Sequence, residues 1–209
     1  MIITDIVPKG KYKSIVYTDG EEWCTLMNRT VREYGLSRGE ELSEAVCFAV
    51  QEELYKSALQ KCGDLLGGSD YTSYSLKDKL NRSGYPEEIS RRAVRAMQEA
   101  HYLNDERYAE NYVRSHMGRA SLQKIRYDLK QKGIDGEMAE AAIGRLSETE
   151  DLAAEEMRQI RSYLKKKNYD PEQADREQKM KLMAALFRKG YARSSIVKAL
   201  DTGDFSDYY

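Results

Sequence analysis

The side chains of this 209-residue chain best placed to act are cations, and their spacing suits contact rather than bond-making. Arg107, Arg114, Arg119, Lys124, Arg126, Lys130 and Lys132 fall in one stretch, interrupted by only two carboxylates, Glu110 and Asp128. Tyr102, Tyr108, Tyr112 and Tyr127 lie in and around them. Cations mixed with aromatic rings can steer and hold an acidic protein surface, or stack on nucleic-acid bases. Arg107 and Arg114 stand seven apart, so on a helix they share a face, with Glu110 and Asn111 between. Arg126 and Lys130 form an i,i+4 pair beside the Leu122, Ile125 and Leu129 stripe, surrounded by Arg119, Lys124 and Lys132. Like charges at that spacing cost a helix a little stability, which an external acidic partner would offset. The plainer reading is a solvated helix face, with tyrosines packed between short helices and their hydroxyls at the surface.

Covalent chemistry finds no comparable support. No HExxH, CxxC, GxSxG or GxxxxGK[ST] occurs. His101 sits near a helix C-terminus, where a cation suits the dipole. His116 falls with Tyr108, Ala109, Tyr112 and Val113 on an apolar face, as a half-buried structural histidine would. Cys24, Cys47 and Cys62 are an odd set without metal-ligand spacing, and read as reduced cytosolic thiols. The sequence therefore predicts no enzyme, no cofactor and no metal. It shows no apolar run of the ~18–20 residues a membrane span needs, and no signal peptide at its start. A soluble cytoplasmic protein with no membrane partner is expected.

Charged residues make up 33% of the chain, yet the net charge is only -1. Residues 1–70 carry 8 basic and 12 acidic side chains, residues 71–133 carry 13 and 8, and residues 134–209 carry 13 and 15. The positive field is central. The overall balance argues against bulk nonspecific DNA binding.

These residues must be positioned by the elements around them, and the sequence repeats itself there. Leu76-x3-Leu80-x3-Gly84-Tyr85 is followed by Ala93-Val94. Ile125-x3-Leu129-x3-Gly133-Ile134 is followed by Ala142-Ile143, and Leu182-x3-Leu186-x3-Gly190-Tyr191 by Ala199-Leu200, at the same offsets. Self-similarity at this period marks stacked supersecondary units that bury one another's apolar faces. Each repeat reads as three helices, the second ending at the glycine in a left-handed cap. The helices around the cationic stretch are Asp105–His116, Ser121–Lys132 and Asp135–Leu146. Ahead of the repeats, the β-branched run Ile2–Val7, then Tyr12–Tyr17 and Trp23–Met27, read as strands, and Asp19-Gly20 is a hairpin turn. Ser37 and Glu40 suggest a capping box opening a long helix to about Leu66.

The chain is thus expected to be mainly α: a tandem repeat of three three-helix units in an elongated curved array, preceded by a small N-terminal antiparallel β-meander. The boundaries fall at 1–36 for the meander, 37–100, 101–147 and 148–203 for the three units, and 204–209 for a loosely held tail. Two helices joined by a glycine turn also occur in DNA readers. The helices after the first two turns open on Glu87-Glu88 and on Asp135 and Glu137, which would repel phosphate, so groove reading is disfavoured.

The run Gly84-Tyr85-Pro86, then His101 through Ser115, then Ile125 through Ile134, resembles the RecX family of RecA regulators in bacteria. The resemblance extends to the Tyr17–Gly20 hairpin and the Tyr34–Gly39 approach, and is most specific over residues 101–134. It implies a monomeric, non-enzymatic modulator built of three three-helix units. Such a protein would bind the RecA filament and inhibit its ATPase, strand exchange and filament growth, tuning recombination, DNA repair and the SOS response. Weak contact with single- or double-stranded DNA is compatible with the family. Its binding residues are diffuse, so the site set is Arg107, Arg114, Arg119, Lys124, Arg126, Lys130, Lys132, Tyr112 and Tyr127. His116 and the Met117–Leu122 stretch are less basic than the family pattern, which weakens any DNA contribution. An independent helical DNA-binding protein is the competing expectation.

Overall fold

The structure is a computed structural model, which describes residues 1–148 and 151–200. The expected loose tail lies outside the described residues. The chain divides into two compact units, Met1–Asp105 and Glu106–Tyr209.

The first unit opens with strands β1 (Ile3–Lys9), β2 (Lys13–Thr18) and β3 (Glu21–Met27), antiparallel in the order β1-β2-β3. Asp19 and Gly20 both take positive φ, 51° and 90°, as the tight hairpin between β2 and β3 requires. Ser14, Val16 and Thr18 of β2 are buried, with half-buried Ile15 and Tyr17 between them. Helix α1 (Asn28–Glu33) follows β3 without a break. It was not expected from the sequence, where its six residues are too few to show a period.

The expected helix start at Ser37 is corrected. The Ser37 Oγ does donate to Glu40 Oε2 at 2.9 Å, but this closes a loop. The backbone there belongs to the sheet edge: Ile3 N–H donates to Glu40 O, Gly39 N–H to Ile3 O and Leu42 N–H to Met1 O. Helix α2 (Glu44–Leu66) begins only after Ser43, whose Oγ accepts from Val46 N–H. Helix α3 (Ser73–Arg82) carries the true capping box of this region, between Thr72 and Ser75. Helix α4 (Glu87–Glu99) follows Pro86. A small meander gains its stability by packing an apolar face, and here Ile3, Val16, Cys24 and Leu26 share one core with Val50, Leu54, Leu76, Leu80 and Ile89.

The second unit comprises α5 (Asp105–His116, from its second residue), α6 (Leu122–Gln131), α7 (Gly136–Ser147), α8 (Leu152–Lys166), α9 (Arg176–Arg188) and α10 (Arg193–Leu200). Ser121, Asp135, Asp151 and Asp175 cap α6 to α9 through side-chain oxygens. The helices α5–α7 close on Ala109, Val113, Ile125, Leu129 and Ile143. The helices α8–α10 close on Ile160, Leu164, Leu186, Ile196 and Leu200. Each triad therefore has its own core.

The repeat is structural as well as textual. Leu80, Leu129 and Leu186 are all fully buried. Gly84, Gly133 and Gly190 all have positive φ, and the residue after each donates to the carbonyl of that leucine: Tyr85 to Leu80, Ile134 to Leu129, Tyr191 to Leu186. His101 and Asn168 hold the same left-handed position after α4 and α8, with Tyr102 donating to Met97 and Tyr169 to Leu164.

Candidate partner-binding surface

Helices α5 and α6 carry the cationic stretch, and the triad core fixes which way each side chain points. Ala109 and Val113 face α5 inward, and Ile125 and Leu129 do the same for α6. With about 100° between successive residues, Tyr108, Tyr112 and His116 fall on one flank of the α5 core stripe and Glu110 on the other. Arg107 and Arg114 fall on the side away from the core, and both are exposed.

The first flank is a stacked ladder. The Tyr108 and Tyr112 ring centroids lie 6.2 Å apart, and those of Tyr112 and His116 3.8 Å apart with an interplanar angle of 14°. His116 Nδ1 sits 2.9 Å from the Tyr112 carbonyl oxygen. A carbonyl can only accept, so that nitrogen carries the proton if the bond forms. The Tyr112 hydroxyl donates to Asp128 Oδ2 on α6 at 3.4 Å. Burial, and then the neighbouring Asp128 carboxylate, push the Tyr112 phenol up to about 12. It therefore stays a neutral donor near neutral pH. Lys124 pairs with Asp128 (Nζ–Oδ1 2.6 Å) and lies 5.1 Å from the Tyr127 ring centroid. Lys132 lies over both Tyr108 and Tyr112, at 5.9 and 5.4 Å.

Arg126 leaves α6 on its other flank, toward α7. Its Nε and Nη2 make a fork with the two Glu140 oxygens, at 2.5 and 3.0 Å. Each partner favours the other's charge: Glu140 is held below its ordinary value by the Arg126 hydrogen bonds, and Arg126 is raised by them. A second tie, Arg145 to Glu110 at 3.1 Å, joins α7 to α5.

The nine expected site residues thus sort by side rather than forming one patch. Tyr112, Lys124 and Lys132 gather along the α5–α6 flank. Arg126 is held by Glu140 at the α6–α7 flank. Arg107, Arg114, Lys130 and Tyr127 face solvent, Tyr127 with 57% of its surface exposed. Arg119 is exposed on the turn between α5 and α6. Arg114, Arg119 and Lys130 pair with no carboxylate among the described residues and are the cations free to meet a partner. The sequence reading missed Asp128 and Glu140 as internal partners. The i,i+4 spacing from Lys124 signals Asp128, whereas nothing local signals Glu140. Among the described residues no group of three His, Cys, Asp or Glu could hold a metal ion, and no helix is long and apolar enough to cross a membrane.

The stretch that builds this surface matches a known family model, "RecX, second three-helix domain", over residues 104–143. A regulatory protein RecX of Caldanaerobacter subterraneus subsp. tengcongensis is 31% identical over 204 residues, covering 96% of this chain and 99% of its own length. The chain belongs to the RecX family. A RecX of Amycolatopsis mediterranei is 34% identical over 144 residues, covering 67% of this chain and 79% of that one. The fold agrees. A crystal structure of a regulatory protein RecX superposes with a TM-score of 0.63 at 22% identity, covering 96% of this chain and 99% of that one. The RecX of Lactobacillus salivarius gives 0.59 at 22% identity over 72% of this chain and 96% of its own. The relatives carry the name of a regulatory protein, and a regulatory role is the family's.

Proposed function

We propose that this RecX protein binds the RecA nucleoprotein filament and inhibits its ATP hydrolysis, strand exchange and growth, without catalysing a reaction. The observation that carries this reading is family membership along almost the whole chain, 96% of it in one relative. The structure supplies a physical basis: separately cored helical triads can each offer a face to a repeating partner. The free cations Arg114, Arg119 and Lys130 would add electrostatic steering, which raises association rates and weakens with salt.

The test is an ATPase titration with RecA from the same source assembled on single-stranded DNA. Inhibition that rises with added RecX, and binding that requires assembled filament, is the expected result. Unchanged ATPase at saturating RecX overturns the reading. Salt-sensitive binding to naked DNA, tighter than to filament, would favour the independent DNA-binding alternative.

A further inference from the structure

The N-terminal unit carries a cationic site of its own. Residues 1–70 have 12 acidic and only 8 basic side chains, and by count look like a poor place for an anion. Folding separates the charges. The register sets Lys9 opposite Lys13, and Lys13 opposite Met27. Lys11 lies in the turn between them, and α1 adds Arg29 and Arg32 directly after β3. Five of the eight cations therefore gather at one end of the sheet. Asp19, Glu21 and Glu22 sit at the other end, around the β2–β3 turn.

At the cationic end lies an open cavity of about 580 Å³. Lys11, Arg29 and Arg32 line it together with Tyr12, Met27 and Val31, and no carboxylate lines it. The cations are all exposed, and no salt bridge occupies them among the described residues. The Arg32 Nε donates only to the Asn28 carbonyl, at 3.3 Å. Tyr12 is 64% and Met27 42% exposed, so apolar surface lies open beside the charge. The walls are fixed in advance. Asn28 accepts from Ser14 Oγ, donates from Nδ2 to Lys11 O, and donates from its backbone N–H to Tyr12 O at 2.8 Å. One asparagine thus staples the β1–β2 turn to α1, which lowers the ordering cost of binding.

We propose that this cavity docks a short acidic peptide segment of a protein partner, with carboxylates on Lys11, Arg29 and Arg32 and an apolar side chain on Tyr12, Met27 and Val31. Charge complementarity selects an anion, and the apolar half selects a peptide over phosphate alone. The acidic far end of the same sheet works against a long polyanion such as nucleic acid, which would run on into Asp19, Glu21 and Glu22. A short segment ends before that repulsion begins. The proposal does not rest on the filament reading, because the site lies in the other unit and its test contains no RecA.

The test is fluorescence anisotropy of the full-length protein with a labelled short peptide of aspartates and glutamates around one phenylalanine. Saturable, salt-sensitive binding is expected. K11E/R29E/R32E should weaken it by at least about tenfold, because opposed charges become like charges. Replacing Arg114, Arg119 and Lys130 by glutamate should leave it within about twofold. Y12A/M27A should weaken binding of this peptide and not of the version with alanine in place of phenylalanine. Circular dichroism checks that each variant is folded. Lack of saturable binding, or binding that K11E/R29E/R32E leaves intact, overturns the proposal. So does tighter binding of a single-stranded oligonucleotide of equal charge that the same variant abolishes, which would assign the cavity to nucleic acid.

Discussion

Arg126 and Lys130 are one helical turn apart on α6 and differ in what they can offer a partner. Arg126 is forked onto Glu140, whereas Lys130 makes no salt bridge among the described residues. Arg126→Glu would set two carboxylates face to face. It should lower stability by about 1 kcal/mol, the upper range for a partly exposed pair. Adding Glu140→Arg should restore most of the loss, and Lys130→Glu should cost little. Thermal melts of the single and double variants measure this coupling. A second residue-scale effect concerns Cys24, which is buried at the β3 end of the core and has its thiol pushed from 9.0 up to about 12, chiefly by desolvation. Above about pH 9 the unfolded chain loses this proton and the folded chain keeps it. The contribution is therefore complete below pH 9 and lost as pH rises through about 12. Urea unfolding should show stability falling across that window. At neutral pH a thiol reagent should label half-buried Cys47 before the buried Cys24 and Cys62.

At the scale of elements, the second and third triads are joined by a cap that works in two directions. Ser121 Oγ accepts from Lys124 N–H to start α6, and donates to Lys189 O at the end of α9. Gly190, with φ +85°, lies so close that a Cβ there would sit 2.7 Å from Ser121 Oγ. Gly190→Ala should therefore cost about 2–3 kcal/mol, combining left-handed strain with a displaced cap. Gly35→Ala, with φ +62° and open space around it, should cost only about 1 kcal/mol. Leu129→Ala, at a fully buried position of the repeat, should cost about 2–5 kcal/mol. Urea unfolding ranks the three. The repeated leucine-glycine phrase and most helix limits were legible in the sequence, because caps, 3.6-residue spacing and positive-φ glycines act within a few residues. The Ser37 start was misread because Glu40 and Leu42 are claimed by a sheet edge some forty residues back. The pairing of Arg126 with Glu140 spans 14 residues, and that of Ser121 with Lys189 spans 68, so no local pattern carries either. The cationic end of the meander was hidden for the converse reason: a count along residues 1–70 averages charges that the hairpins then separate.

At the scale of the whole molecule, the filament reading must distinguish cations that hold the fold from those that meet a partner. Lys124 is tied to Asp128 and Arg126 to Glu140, so glutamate at either position would confound lost binding with lost stability. Arg114, Arg119 and Lys130 avoid this difficulty, being exposed and not salt-bridged among the described residues. Replacing all three by glutamate should leave the melting temperature within a few degrees of the parent, since exposed substitutions away from special features usually change stability by about 0.5 kcal/mol or less. Filament binding should fall by about tenfold or more at low salt, and the gap to the parent should narrow as salt rises, because screening weakens exposed charges first. A pull-down on RecA assembled on single-stranded DNA, run at two salt concentrations beside an ATPase titration, reads both effects. Loss of inhibition with unchanged melting would place the free cations in the contact. Full inhibition by the folded triple variant would remove this surface from the mechanism while leaving the fold and the family intact. The contact would then fall to other faces of the triads, where exposed Phe187 on α9 and Tyr74 on α3 are the next side chains to truncate.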